Sequence, residues 1–238
     1  MIAPTKWILI SEQPGDQWIL PVWNEVRLAV ERNAVPATSK EMKELGAHIS
    51  TRLNLFPRVW SRVVHRAEAL IADVQRRAGA EHVFTPDKEG FALVMPMAPA
   101  YEFIIDAHAA LFETHACAEL MRNFLSRALQ HTGNPKPPSL KRRFQEAIQD
   151  GGVDASWCAR LEEMRGFFSH QGTVYVAVDV SADARDLLLM KENIKTFADP
   201  GQYHRYSELA EIRDGFDASK NVLQAYLSGL YRAAKPVA

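Results

Sequence analysis

Residues 99–131 read PAYEFIIDAHAALFETHACAELMRNFLSRALQH, a stretch with no glycine and with its one proline at the start. Its large apolar side chains spread around much of the circumference of a helix, and they are Ile104, Ile105, Leu111, Phe112, Leu120, Phe124, Leu125 and Leu129. A helix that is apolar on most sides usually forms the buried centre of a bundle. The stretch therefore predicts a mainly helical protein built around one long central helix.

Shorter helical segments lie on both sides of this stretch and are separated by prolines and glycines. The sequence predicts a short helix near 18–26, one capped by Ser39, one opened by Pro57 and ended by Gly79, and three at 139–149, 154–169 and 207–233. Together with the central helix, these segments are enough for a bundle of four to five core helices.

Two further segments have the pattern of β-hairpins. Valine stands at every second position from 174 to 180, which is typical of a strand with one buried face. Residues 187–190 are predicted to pair with it across a turn at 181–185. A second hairpin is predicted at 82–95, around the turn at 87–90. The predicted fold class is therefore mainly α, a helical bundle with small β-hairpin insertions.

The chain has the composition of a globular protein, with 47% apolar and 24% charged residues. We predict that residues 1–97 form an N-terminal arm, helices and a hairpin packed on a body at 98–238. The alternative is a single domain over the whole chain. Two cysteines are too few for a disulfide framework, and no apolar run approaches the roughly 20 residues that span a bilayer. We expect a cytoplasmic protein with no membrane partner.

The charges balance over the whole chain but not along it. The 28 basic and 29 acidic residues give a net charge of −1, which excludes a uniformly basic nucleic-acid-binding protein. The stretch 120–145 nevertheless contains no acidic residue, and its basic residues predicted to bind RNA are Arg122, Arg127, Lys141, Arg142 and Arg143. A second row, Arg58, Arg62 and Arg66, follows one face of a predicted helix. The alternative for each row is a solvated face balanced by acidic residues elsewhere.

Sequence motifs exclude several classes of enzyme. Neither GxGxxG nor GxxxxGK[ST] occurs, and HExxH, GxSxG and paired CxxC are also absent from the sequence. We therefore expect no nucleotide cofactor and no metal. The remaining candidate is the segment 157–172, WCARLEEMRGFFSHQG, in which Arg165 and His170 are separated by four residues.

This Arg-x4-His pattern near the end of a bundle helix resembles the signature of the HEPN superfamily (higher eukaryotes and prokaryotes nucleotide-binding domains). The order of helices over residues 98–232 is also similar. The resemblance implies an HEPN-like bundle, a homodimer and metal-independent endoribonuclease activity in phage defence or a toxin–antitoxin system. Gly166 follows the arginine, where many members carry a polar residue.

The chemistry of the two side chains suits RNA cleavage. A histidine with a pKa of about 6.5 can exchange protons near neutral pH, and an arginine offers a planar fork to a phosphodiester. Residues five apart lie about 140° apart around a helix, so one helix does not direct both onto one atom. A two-fold dimer would cluster two copies of Arg165 and His170. We expect Arg122, Arg142 and Arg143 on the same face as His170.

Several alternatives remain open from the sequence. The protein could instead be a non-catalytic HEPN-fold protein that binds RNA, a nucleotide or a protein partner. Arg165 could cap carbonyl groups or pair with Glu162, with His170 an ordinary C-terminal helix residue. In the central helix, His108, His115 and Glu119 form a polar stripe, in which His115 and Glu119 are predicted to orient His170. A metal site made of those three residues is the further alternative.

Overall fold

The computed structural model describes residues 8, 16–80, 95–170, 174–179, 185–190, 201 and 203–236. In these residues the chain forms six helices and a three-stranded antiparallel sheet. The elements in chain order are α1 (Leu20–Glu31), α2 (Lys40–Ala80), α3 (Ala98–His131), α4 (Leu140–Asp150), α5 (Trp157–His170), β1 (Tyr175–Asp179), β2 (Asp186–Met190), β3 (Tyr203–Arg205) and α6 (Tyr206–Ala233). The prediction of a mainly helical protein with a small β-hairpin is confirmed.

The sheet contains the predicted hairpin and one further strand. Tyr175 of β1 lies opposite Met190 of β2, and Asp179 lies opposite Asp186, so the strands are antiparallel over their full length. The strand β3 pairs with the other edge of β2 and was not predicted from the sequence. The hairpin predicted at 82–95 lies outside the described residues except for Met95.

The prediction that Pro57 opens a new helix is wrong, because α2 continues through this residue as one helix of 41 residues. Proline has no amide hydrogen, so position 57 cannot donate the helical hydrogen bond to the carbonyl of Leu53. Ion pairs on both sides of the proline connect α2 to α3. Arg52 lies 2.7 Å from Glu113, and Arg62 lies 2.9 Å from Asp106. These interhelical contacts, with the apolar residues between them, hold α2 against α3 on both sides of the proline.

The helix α3 has the central position that its sequence predicts. It runs antiparallel to α2, because Arg52 pairs with Glu113 while Arg66 pairs with Glu102. It also contacts α4, α5 and α6. The sequence predicted a helix that is buried on most sides, but one side of α3 is exposed to solvent. Tyr101, Ile105 and Phe112 are 54%, 65% and 53% exposed and form one apolar stripe along the solvent side of α3.

Buried side chains from all six helices and from β2 form one hydrophobic cluster. The first helix packs against the last: Trp18 Nε1 donates a hydrogen bond of 2.8 Å to the carbonyl of Lys220, and Arg232 lies 2.8 Å from Glu25. The Arg32 guanidinium binds the carbonyl oxygens of Tyr231 and Arg232 at the end of α6. Both regions of the predicted domain division therefore contribute to the same core.

Serines begin two of the helices as expected. The amide of Met42 donates to Ser39 Oγ at 3.2 Å, and the amide of Arg142 donates to Ser139 Oγ at 3.2 Å. Among the described residues, no helix is long and apolar enough to cross a bilayer.

Candidate functional site

Arg165 and His170 both lie on α5, where the sequence places them. Arg165 is partly buried one turn before the end of the helix, and His170 is its last residue and is exposed. Five residues correspond to about 7.5 Å along the axis and about 140° around it. The two side chains therefore leave α5 in different directions, and no contact between them is found in the described part of the chain.

Arg165 differs from most arginines of the chain in its surroundings. Arginines such as Arg52, Arg62 and Arg142 bind carboxylates, whereas Arg127 and Arg165 have no hydrogen bond or ion pair with any residue that the structure describes. Arg127 is exposed, which is ordinary, but Arg165 is partly buried. The expected alternative, an ion pair with Glu162, is not formed, because Glu162 accepts a 2.6 Å hydrogen bond from Lys141 Nζ.

The helix α3 runs antiparallel beside α5 and contributes histidines to the same region. The ring of His108 stacks on Phe168 with centroids 5.9 Å apart and an interplanar angle of 16°. Two turns further along α3, His115 lies within the electrostatic range of Arg165 and Glu162. The polar stripe of α3 therefore faces the helix that carries the Arg-x4-His pattern. A role of His115 and Glu119 in orienting His170 remains a prediction.

A polar cleft lies between α3, α4 and α5, beside Arg165. We use this name for the gap whose polar lining residues are His115, Arg122, Lys141, Gln145, Cys158 and Glu162, with Glu119 beside them. The buried apolar side chains of Ala118, Phe144, Trp157 and Leu161 complete the lining. His115 Nε2 is 3.9 Å from Glu119 Oε1, and the Arg122 guanidinium forms an ion pair with the same carboxylate. Three separate helices therefore place cations and carboxylates within one small volume.

The electrostatics of the cleft favour neutral forms of its weakly ionisable groups. Burial, together with the charges of Arg165 and Arg122, lowers the pKa of His115, although Glu119 and Glu162 act in the opposite direction. Burial raises the pKa of the Cys158 thiol to about 12, so this cysteine is not a thiolate nucleophile near neutral pH. Cys117 is fully buried and its pKa is raised to about 12 for the same reason.

The basic residues predicted to bind RNA are distributed over several surfaces. Arg122 and Lys141 lie in the polar cleft. Arg142 Nε donates to Glu146 Oε1 at 2.9 Å, and Arg143 stacks on the ring of Tyr226 at 5.2 Å. Arg127 is on the side of α3 that faces Glu41 of α2. Most of these cations are balanced by carboxylates, as the alternative interpretation holds, and their RNA-binding role remains a prediction.

Arg142 and Arg143 were expected on the same face as His170, but the helix that carries them, α4, does not lie near His170. Lys141 of α4 contacts Glu162, which precedes His170 by eight residues. Eight residues correspond to about 12 Å along a helix axis, so α4 lies toward the opposite end of α5 from His170. Two residues of the second basic row are also paired, because Arg62 and Arg66 form ion pairs with Asp106 and Glu102 of α3.

The candidate metal ligands of α3 and Gly166 of α5 are the remaining features of the predicted site. In the described part of the chain, no group of three or more histidine, cysteine, aspartate or glutamate side chains could hold a metal ion. Thus His108, His115 and Glu119 do not form such a group. A Cβ atom added at Gly166 would meet no atom within 4 Å, so α5 has space there for the side chain that many HEPN proteins carry.

The sequence did not identify two parts of this region. The contact of Lys141 with Glu162 joins residues 21 apart, and no local periodicity predicts it. The exposed stripe of α3 could have been predicted from the sequence. Apolar residues surround this helix, and a few neighbouring helices cannot bury all of its sides. Comparisons of the chain with models of protein families, with curated proteins and with solved structures found no match.

Proposed function

We propose that the protein is a metal-independent endoribonuclease in which Arg165 and His170 act on a phosphodiester of RNA. The observation that carries this proposal is the partly buried Arg165 guanidinium, which has no partner in the described residues. Such a group can bind a phosphate through two parallel N–H···O hydrogen bonds. The resemblance to the HEPN superfamily supplies the reaction. A cytoplasmic location and a role in phage defence or a toxin–antitoxin system belong to the same proposal.

The reaction needs one proton acceptor, one proton donor and one cation. The ribose 2′-OH gives its proton to a histidine, and its oxygen forms a bond to the adjacent phosphorus. The bond from phosphorus to the 5′-oxygen of the next nucleotide breaks as that oxygen receives a proton from a histidine. The products carry a 2′,3′-cyclic phosphate and a 5′-hydroxyl. Arg165 stabilises the negative charge of the phosphorane.

A second copy of the chain completes the site in this proposal. Because Arg165 and His170 project about 140° apart, one α5 does not direct both to one phosphate. A two-fold dimer in which the two α5 helices face each other supplies Arg165 from one copy and His170 from its partner. The exposed stripe of Tyr101, Ile105 and Phe112 lies next to α5 and offers an apolar surface for that contact.

The test uses the full chain and fluorescently labelled single-stranded RNA in the presence of EDTA. We expect cleavage with 2′,3′-cyclic phosphate ends, and a loss of at least about a hundredfold in rate for His170→Ala. Arg165→Ala should reduce the rate similarly, and Arg165→Lys should restore little of it because lysine lacks the planar fork. His65→Ala is the matched control, since His65 is exposed on α2.

Two results would contradict the proposal in different ways. Cleavage that survives His170→Ala removes His170 from the site. Binding of RNA without cleavage, retained in both Arg165→Ala and His170→Ala, selects the non-catalytic HEPN-fold alternative instead.

A further inference from the structure

Two buried donor or acceptor atoms of the polar cleft have no hydrogen-bond partner among the described residues. They are His115 Nδ1 and Arg122 Nε. The Arg122 Nε–H is always a donor, and the side chain is only 13% exposed. Leaving a buried polar group unpaired is unfavourable, and more so when the group is charged. The cleft is therefore built to hold an acceptor between α3 and its neighbours.

The charges around the cleft favour an anionic acceptor. Arg122, Lys141 and Arg165 contribute three positive charges, and Glu119 and Glu162 contribute two negative charges. Arg165 lies on α5 one turn after Glu162 and forms no ion pair with any residue that the structure describes. Burial, and after it the charges of Arg165 and Arg122, lower the pKa of His115, although two carboxylates close to it act in the opposite direction.

The cleft as it stands has room for about one water molecule, so a larger ligand has to displace a side chain. The ion pair of Lys141 with Glu162 closes it and is well suited to open. These side chains are 47% and 43% exposed, and exposed ion pairs contribute little to stability. Lys141 can therefore leave Glu162 for a phosphate, which accepts stronger, charge-assisted hydrogen bonds.

We propose that the polar cleft binds a phosphate group of the RNA strand, next to the phosphate on which Arg165 and His170 act. The assignment to RNA rests on the proposed function, whereas binding of a phosphate rests on the cleft alone. Arg122 Nε and His115 Nδ1 donate to the phosphate oxygens, and Lys141 turns toward them. Along α5, Arg165 lies between Glu162, which lines the cleft, and His170 at the end of the helix.

The test measures binding of a single-stranded RNA with 2′-O-methyl groups, which has no 2′-OH and cannot be cleaved. We expect Lys141→Gln to weaken binding about tenfold and to reduce the slope of log affinity against log salt by about one. Lys40→Gln is the matched control, because Lys40 is also in the first turn of a helix beside an exposed glutamate, Glu44. It should change the affinity less than twofold.

A second measurement, the pH dependence of RNA affinity, tests the protonation of His115. The groups that face it are Glu119, Arg122, Lys141, Cys158, Glu162 and Arg165. A bound phosphodiester adds negative charge that favours the imidazolium, so affinity for the 2′-O-methyl RNA should increase as pH falls from 7.5 to 6. His115→Asn should remove this increase. A purely structural role of His115 would leave the pH dependence unchanged.

Competition experiments distinguish the possible sources of the phosphate, and the comparison of variants shows which part of the proposal fails. Adenosine 5′-monophosphate and inorganic phosphate are tested as competitors of the RNA. A mononucleotide that binds as tightly as the RNA overturns the assignment to an RNA strand. Equal affinities of Lys141→Gln and Lys40→Gln overturn the phosphate site, and the cleft then holds water only. Because no cleavage is measured, these results are independent of whether the protein is a ribonuclease.

Discussion

At the scale of the residue, Lys141 and Arg165 show two different environments for a cation beside α5. Lys141 is held by Glu162, and its charge is largely compensated. Arg165 has no such partner in the described residues, so its field acts on its neighbours across α3. His115 lies within range of this field, and burial together with the charges of Arg165 and Arg122 lowers its pKa. The charge of the cleft is therefore measurable through one imidazole.

The stability of the protein should depend on pH through His115. Its pKa is lowered in the folded state, so below about pH 6.5 the unfolded chain binds a proton that the folded protein does not. The free energy of unfolding consequently decreases as pH falls below about 6.5. His115→Gln should lose less stability than the wild-type protein between pH 7.5 and 5.5, as measured by urea denaturation at each pH.

The control for this prediction is His65→Gln on the exposed side of α2. It should follow the wild-type pH dependence, because carboxylates and other histidines contribute equally to both proteins. If His115→Gln and His65→Gln follow the same curve, burial and the charges of Arg165 and Arg122 do not lower the pKa of His115 as the structure indicates.

At the scale of the element, α2 shows how tertiary packing overrides a local signal. Proline at position 57 predicts a helix start, and its missing hydrogen bond makes an interior proline unfavourable by about 3 kcal/mol. The helix continues nevertheless, because ion pairs and buried side chains on both sides bind it to α3. The side chain of Pro57 itself is exposed.

Replacing this proline should stabilise the protein. Pro57→Ala restores an amide hydrogen that can bind the carbonyl of Leu53, and it removes little packing because Pro57 is exposed. We expect an increase of about 1–3 kcal/mol in the free energy of unfolding, measured by urea denaturation at pH 7.5.

Pro99→Ala is the control for this substitution. Pro99 is in the first turn of α3, where an amide hydrogen has no intrahelical partner, so the change should be within about 0.5 kcal/mol. An equal effect of the two substitutions would show that the hydrogen bond lost at position 57 has been replaced by another contact.

Most elements could be predicted from the sequence because their signals are local. Ser139 and the break at 133–138 define α4, and alternating valines define β1. The strand β3 has only three residues, too few to show a period, and it forms because β2 offers an edge. The prediction of a helix start at Pro57 was wrong for the opposite reason. The local signal of the proline is strong, but the contacts of α2 with α3 override it.

At the scale of the whole molecule, the exposed stripe of α3 is an apolar surface that the described residues leave uncovered. Its residues are compatible with an antiparallel, two-fold contact between two α3 helices. If the two-fold axis passes between His108 and Ala109, Tyr101 lies opposite Ala116 of the second copy, and Ile105 lies opposite Phe112. A large side chain then meets a small one at each end of the contact, and the two α5 helices lie on the same side of it.

The dimer of the proposed function can be tested through this stripe. We expect the wild-type chain to be dimeric at micromolar concentration and Ile105→Asp to be monomeric, because a charge in an apolar interface is desolvated without a partner. Light scattering after size-exclusion chromatography measures the mass directly. Leu28→Asp is the matched control, since Leu28 is 42% exposed on α1, and it should remain dimeric.

A wild-type chain that stays monomeric at all concentrations tested would contradict this interface. Loss of the dimer in both variants would also count against it, because the effect would then be unrelated to position.

The candidate site was predictable only in part. Arg165, His170 and the polar stripe with His115 could be found because each lies in a short motif or on one helix face. The pairing of Lys141 with Glu162, and the absence of a partner for Arg165 among the described residues, depend on how three helices are arranged. The number of charged residues along the chain does not show which of them form ion pairs. The acid-free stretch at 120–145 therefore suggested more uncompensated positive charge than the structure has.

The contact between α1 and α6 has a consequence for how the protein is made. The partners of Trp18 and Glu25 are Lys220 and Arg232, about 200 residues later in the chain. At roughly 5–20 residues per second, a ribosome needs about 10–40 seconds to synthesise that interval. The apolar side of α1, with Val22, Val26 and Ala29, stays uncovered in the nascent chain for that time. Chaperones that bind nascent apolar segments therefore have their clearest target in the first helix.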